Sequence, residues 1–357
     1  MSAGKLKTAV LGLNNAGELL LQAASESDHF QIQAVADTDP KHAEKLAAQY
    51  GCAGYDDYRQ LVIQNELDCL LVAAGIYSCD EHIRLAMKKK FNVLKLAPAA
   101  RNFEEAAEFV QLAEDEGVQF AIGNLLRFAE SFRALHEFVR QGRIEQVFLA
   151  TAFCNAGNEM GPAWYTDPKL AGGGVLLRNC YELIDQIVWN FSVPQQVYAL
   201  SSSQAADKQQ RLYLSEDTAA VMMKFSDTLV GNLVAFRRAG IEPAEASVRI
   251  YGRAEILTVS NTEFTVSDGQ GRISEQSRYE YEPLCCTARL LENFALSLLS
   301  PDKNRLCSTG RENLDNMAAI EAAYLSARTG FPEEPGRIMQ MAPRRPGTPT
   351  GTQPPHG

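Results

Sequence analysis

Lys95 is the first residue in this chain with the means to do chemistry. It stands in the stretch 92–100, NVLKLAPAA, inside an apolar run that Pro98 ends by withholding the N–H a sheet ladder needs. Residues at the carboxyl ends of parallel strands line the ligand crevice of an open α/β sheet, so Ala97 and Pro98 are expected to border a substrate cleft. Lys95 lies two residues before Ala97, and the period of a strand puts both side chains on one face, about 7 Å apart. Lys95 is therefore a candidate catalytic group; the competing reading places it at the strand end, paired with a carboxylate or solvent. Arg178 and Glu182 are four residues apart, on one face of a helix expected over 176–190, where they can pair. Glu182 is a candidate base if burial raises its pKa, an effect that Arg178 opposes. Tyr165, Asp167, Asn179 and Tyr181 add polar contacts suited to a small hydroxylated ligand.

The stretch Gly12-Leu13-Asn14-Asn15-Ala16-Gly17 follows a strand over 7–13 and opens a helix over 18–25, the setting a GxGxxG dinucleotide turn requires. The second glycine of that pattern, which lets backbone approach a pyrophosphate, is Asn14 here; Asn tolerates positive φ, so the turn itself is kept. Asp37 follows a strand over 30–36 and lies 20 residues after Gly17. A carboxylate there holds ribose hydroxyls and repels a 2′-phosphate. Gly12, Asn14, Asn15, Ala16, Gly17 and Asp37 thus predict a dinucleotide site that favours NAD over NADP, the alternative being a Rossmann-type layer that binds no nucleotide.

These residues need elements to position them. Helices over 40–50, 58–64, 79–89 and 103–116 alternate with strands over 30–36, 68–73 and 119–122 and the one opening at Val93. That alternation predicts a doubly wound parallel α/β sheet, a Rossmann domain over 1–123. The period then changes: after helices over 128–140 and 176–190 come strands over 196–202, 218–225, 228–237, 246–251, 255–260 and 263–266. Gly231, Gly252 and Asp268-Gly269 punctuate them, as hairpins require. With a further strand over 146–153 and closing helices over 284–299 and 311–329, this predicts an α+β domain over 124–330 with a large, mainly antiparallel open sheet. Residues 331–357, rich in Pro, Gly and Thr, are expected to be a disordered tail.

Composition narrows the classes. A 357-residue chain that is 46% hydrophobic can bury a large core. A net charge of −10 and a pI of about 5.2 exclude a nucleic-acid partner, since phosphate binding needs a basic surface and only the run 88–90 is markedly basic. No window reaches the roughly 18 apolar residues of a membrane span, and no signal-like segment precedes the first strand, so no membrane partner and a cytoplasmic location are expected. The eight cysteines show no CxxC pair or metal-ligand spacing; they read as reduced thiols, with no metal site.

Taken together, these motifs resemble one family, the Gfo/Idh/MocA oxidoreductases, which includes glucose-fructose oxidoreductase and inositol dehydrogenase. The resemblance runs to about Gly330 through AVLGLNNAG, AVADTDP, HIRLAMKKKFNVLKLAP, GNLLRFAESFRAL with GRIEQV, WYTDPKLAGGG and the helix ending in Asp185. It implies an NAD(P)-binding Rossmann domain and a C-terminal open sheet that carries substrate and joins copies of the chain into a dimer or tetramer. It also implies a cis Ala97-Pro98 bond. In the family, a lysine in an EKP tripeptide polarises the reacting group, while an aspartate and a histidine four residues later contact substrate and move the proton. Those positions are Ala97, Arg178 and Glu182 here, and the TPN stretch beside the nicotinamide is Ala74-Gly75-Ile76. The resemblance therefore implies a non-catalytic or weakly active member that binds ligand or regulates, as the family's galactose-gene repressor does. The alternative is an NAD-dependent oxidoreductase of a sugar-like or polyol substrate with a rearranged site built on Lys95 and Glu182. His82 and Asp185 match family positions to which structural roles are assigned.

Overall fold

The apolar runs of the first 123 residues behave as strands sandwiched between helical layers, and β4 (Cys69–Val72) and β6 (Phe120–Gly123) are buried at every residue. The computed structural model describes residues 4–157, 163–203, 215–237 and 244–341. In it those two strands join β1 (Leu6–Leu11), β2 (Phe30–Ala36), β3 (Ala53–Tyr55) and β5 (Asn92–Leu96) in a six-stranded sheet of order β3-β2-β1-β4-β5-β6. Every pairing in it is parallel. The order reverses between β1 and β4, and the crevice opens at the carboxyl ends of the strands flanking that point. Local chemistry sets the helices. Asp39, Asp57 and Asn102 cap Pro40–Tyr50, Tyr58–Gln64 and Phe103–Glu116, and Gly51 and Gly117 stop the first and last of these in the left-handed conformation.

The second half alternates instead. In β9 (Thr218–Lys224), Ala219, Val221 and Met223 are buried while Ala220, Met222 and Lys224 face out. β9 lies in an eight-stranded sheet with β7 (Leu149–Asn155), β8 (Gln196–Ser202), β10 (Val230–Phe236), β11 (Glu245–Tyr251), β12 (Glu255–Ser260), β13 (Glu263–Asp268) and β14 (Ile273–Arg278). The order is β14-β13-β12-β11-β7-β10-β9-β8, antiparallel throughout except for the β7–β10 pair. Helices cover one face: Glu130–Arg140 packs on β12 and β13, and Gly310–Thr329 packs on β8.

The halves are joined by more than a linker. Helix Pro283–Leu299 returns to pack on Asn15–Glu26, and Gly310–Thr329 packs on Phe103–Glu116. A buried polar knot lies at the seam. Arg127 meets Asp185 through two bonds, Nε to Oδ2 and Nη2 to Oδ1, both 2.7 Å, and Asn316 Nδ2 donates to Asp185 Oδ1 at 2.7 Å. Asn124 and Tyr181 both donate to Asn313 Oδ1, at 2.9 and 3.0 Å. Removing one member of such a pair strands a buried charge, at about 3–5 kcal/mol.

The structure departs from the sequence reading in several places; Gly231, expected to punctuate a hairpin, lies inside β10. β3 has only three residues and β14, ISEQSR, is exposed at every residue; pairing to a neighbour, not hydrophobic pattern, makes both strands. The helix expected over 176–190 is two helices, Val175–Arg178 and Tyr181–Phe191, with a break at Asn179-Cys180. The segment expected to be disordered from 331 carries a helix, Pro335–Met339, whose Ile338 is buried, and Glu333 pairs with Val197. Residues 342–357 lie outside the described residues.

Candidate functional site

The glycines at the turn after β1 answer to close contacts. Gly12 has φ +87°, and a Cβ on it would lie 2.4 Å from Ala74 Cα; a Cβ on Gly17 would lie 1.9 Å from Gly12 O. Asn14 takes a φ of −63°, so its replacement of glycine demands no positive φ. Its side chain caps the helix instead: Oδ1 accepts the Gly17 N–H at 3.0 Å, and Nδ2 donates to Ala73 O at 2.8 Å. The N–H groups of Asn15 and Ala16, in the first turn of Asn15–Glu26, have no intrahelical acceptor and are the donors a pyrophosphate would take. Asp37 is fixed by the Leu13 N–H on Oδ2 at 2.7 Å and the Asp39 N–H on Oδ1 at 2.9 Å. Gly12, Asn15, Ala16, Gly17 and Asp37 therefore fit a dinucleotide, and Asn14 narrows the approach to the helix start.

At the end of β5 the Ala97-Pro98 bond is cis, and both residues are half-buried. Lys95 is only 3% exposed. Its ammonium donates to the carbonyl of Leu96 at 3.1 Å and to that of Pro98. Burial holds its pKa below the usual lysine value, against the opposing pull of Cys79 and Glu105. Among the described residues Lys95 forms no ion pair; the Glu105 carboxylate is bonded to Arg101, Nη2 to Oε1 at 2.7 Å. The partners of the Lys95 ammonium among the described residues are thus backbone carbonyls, not a carboxylate. It braces the turn that carries Ala97 and Pro98.

Arg178 and Glu182 do not pair, because the break at Asn179-Cys180 rotates them onto different surfaces. The run 172–174 explains how the chain enters that region. A Cβ on Gly172 would lie 2.2 Å from Arg101 O, on Gly173 2.1 Å from the Tyr324 hydroxyl, and on Gly174 1.8 Å from Glu216 O. The Glu216 carboxylate accepts the N–H groups of Gly174 and Leu176, at 2.8 and 3.0 Å, and the Tyr324 hydroxyl at 2.9 Å. Burial pushes its pKa up. Sequence reasoning missed Glu216 and Tyr324, since a lone Glu and a lone Tyr carry no local signal.

Glu182 faces the loop after β6, where its Oε1 accepts the Leu125 N–H at 2.6 Å. Glu182 is partly exposed. Burial pushes its pKa up to about 7; the Leu125 N–H opposes this and Asp185 adds to it. Such a group can give or take a proton at neutral pH. Arg178 lies over the Tyr165 ring, 4.0 Å from its centre, and among the described residues no guanidinium nitrogen has a hydrogen-bond partner. Trp164, beside Tyr165, packs on Tyr77 with centroids 4.8 Å apart, bringing the loop around Gly75 to the same mouth of the crevice. Tyr181 is not a cleft residue: the first turn of its helix aims it inward, to the Asn313 bond of the knot. Asp167 caps the short helix Pro168–Ala171, and His82 packs edge-on against Tyr58 at 5.6 Å.

Among the described residues, no group of three or more His, Cys, Asp or Glu is placed to hold a metal ion, and no helix is long and apolar enough to cross a membrane. Two family models match in succession. The first is described as oxidoreductase family, NAD-binding Rossmann fold, over residues 6–124, and the second as the GFO/IDH/MocA C-terminal domain, over residues 132–258. The chain belongs to the Gfo/Idh/MocA oxidoreductase family.

Similar curated proteins include a 2,7-anhydro-N-acetylneuraminate hydratase of Escherichia coli, 25% identical over 49% of this chain and 46% of that protein. A D-glucoside 3-dehydrogenase of the same organism is 26% identical over 54% of this chain and 56% of that one. The matches span about half the length of these relatives. Among solved structures, an inositol dehydrogenase homologue of Azotobacter vinelandii complexed with NAD+ superposes with a TM-score of 0.83 at 15% identity, over 93% of this chain and 98% of that one. An oxidoreductase of Agrobacterium radiobacter in complex with NAD+, L-tartaric acid and magnesium gives 0.80 at 18%, over 94% and 99%. Identities this low show the shared fold. Within that fold the turn after β1 abuts Ala74, and Gly172 abuts Arg101, three residues past the cis Ala97-Pro98 bond.

Proposed function

We propose that this Gfo/Idh/MocA member binds a dinucleotide at its N-terminal turn and a small hydroxylated ligand in the crevice, and that it turns the ligand over weakly or not at all, acting as a ligand-binding or regulatory protein. The observation that carries this reading is the amine of Lys95, buried and committed to the carbonyls of Leu96 and Pro98, while the side chain at 97 is a methyl group. Asp37 beside the turn supports NAD over NADP, although one relative, of Bacillus subtilis, is an NADP(+)-dependent scyllo-inositol 2-dehydrogenase. The eight free cysteines accord with a reducing, cytoplasmic setting.

A second reading, an NAD-dependent oxidoreductase of a sugar-like or polyol substrate, is favoured by Glu182, whose pKa of about 7 suits a general base. Two measurements separate the readings. NAD at millimolar concentration raises the melting temperature; no shift sinks the dinucleotide assignment. NAD reduction across a panel of inositols, aldoses and their acids stays at background; turnover abolished by Glu182→Gln or Lys95→Ala establishes the oxidoreductase instead. The outward face of the second sheet presents Leu200 and Met222, 60% and 50% exposed, and we assign it to pairing with further copies of the chain. Light scattering reports a dimer or tetramer if so, and a monomer refutes it.

A further inference from the structure

Arg178 is the unresolved charge of the crevice. All three guanidinium nitrogens are buried, and among the described residues none has a hydrogen-bond partner. A guanidinium cannot shed its proton to escape burial, and five donors left without acceptors are costly. The Tyr165 ring beneath it supplies a stacking face but no acceptor. Glu216, a carboxylate with an electrostatic effect on it, is already bonded to the Gly174 and Leu176 N–H groups and the Tyr324 hydroxyl. A like charge, Arg237, also acts on it.

Among the described residues, two further buried polar atoms without partners are Asn179 Oδ1, on the adjoining residue, and Ser215 Oγ. The Ser215 N–H donates to Thr166 O at 3.0 Å, which ties that serine to the turn bearing Trp164 and Tyr165. Arg178, over Tyr165, and Ser215 are thus both tied to the Ala163–Thr166 turn, where Trp164 meets Tyr77.

We propose that Arg178 anchors a carboxylate, with Arg237 reinforcing the positive field, and that the crevice ligand is a polyhydroxylated carboxylic acid whose hydroxyls meet Asn179 Oδ1 and Ser215 Oγ. The inference rests on the reading that this crevice binds a small hydroxylated ligand and names the class. It accounts for the donors, because a carboxylate accepts a guanidinium fork through two parallel bonds.

The test uses the full chain at low salt, with and without saturating NAD, and follows binding of D-gluconate and D-glucuronate against D-glucose and myo-inositol by calorimetry and thermal shift. The acids bind and the neutral compounds bind at least about tenfold more weakly, a difference of about 1.4 kcal/mol. Arg178→Gln, which keeps most of the volume and loses the charge, weakens the acids by a similar factor, leaves the NAD response unchanged and so shows that the variant is folded; Arg178→Lys recovers part of the affinity. Neutral polyols binding as tightly as the acids overturn the carboxylate anchor and leave the ligand-binding reading standing. Acids binding Arg178→Gln as they bind the wild type also overturn it. No binding of any of the four overturns both.

Discussion

Replacing Glu182 by glutamine tests how strongly burial acts on its carboxyl. Gln keeps an oxygen that can accept the Leu125 N–H, now at 2.6 Å, and removes the charge that burial penalises. The displacement from an ordinary 4.5 to about 7 corresponds to roughly 3 kcal/mol, at about 1.36 kcal/mol per pKa unit. The folded carboxyl holds its proton more tightly than the unfolded one. The native state therefore has this contribution in full below about pH 4.5 and loses it as the pH rises through 7. Solvent contact at the rim trims the effect to about 1–3 kcal/mol. At pH 8 Glu182→Gln is then more stable than the wild type by that amount, and near pH 4.5 the two are equal. For a chain of this size the gain at pH 8 corresponds to about 1–4 °C in melting temperature. Paired thermal melts of both proteins at the two pH values read the difference directly, with all other titrating groups cancelling. Equal destabilisation of the variant at both pH values would show that the carboxyl is solvated or serves as an ordinary charged acceptor, and the reasoning fails.

Arg127→Ala leaves Asp185 buried without its bidentate partner and lowers stability by about 3–5 kcal/mol, read by urea denaturation; a loss under about 1 kcal/mol would mean that the seam does not depend on the knot. Asn14→Gly removes a side chain from the helix start. It costs only a few tenths of a kcal/mol in capping and tightens NAD binding several-fold, measured by titration calorimetry; unchanged affinity would show that the Asn14 side chain does not narrow the approach.

Much of the first half was legible because its determinants are local. β2 and the helices Pro40–Tyr50, Tyr58–Gln64 and Phe103–Glu116 fall on the residues that periodicity and caps assign. The dinucleotide turn was legible for the same reason: Gly17 excludes a side chain through Gly12, five residues away in the same turn. The types of Ala97, Arg178 and Glu182 were likewise legible in the sequence. Their arrangement was not legible. A spacing of four presumed one helix, but Val175–Arg178 is anchored by Glu216, 40 residues on, and by Tyr324, 147 residues from Leu177. Those distant contacts decide that the helix breaks, that Arg178 points away from Glu182, and that its guanidinium is left without a partner. Residue types and short-range sterics are written in the chain itself; which buried charges find partners is decided only when segments far apart in sequence are packed together.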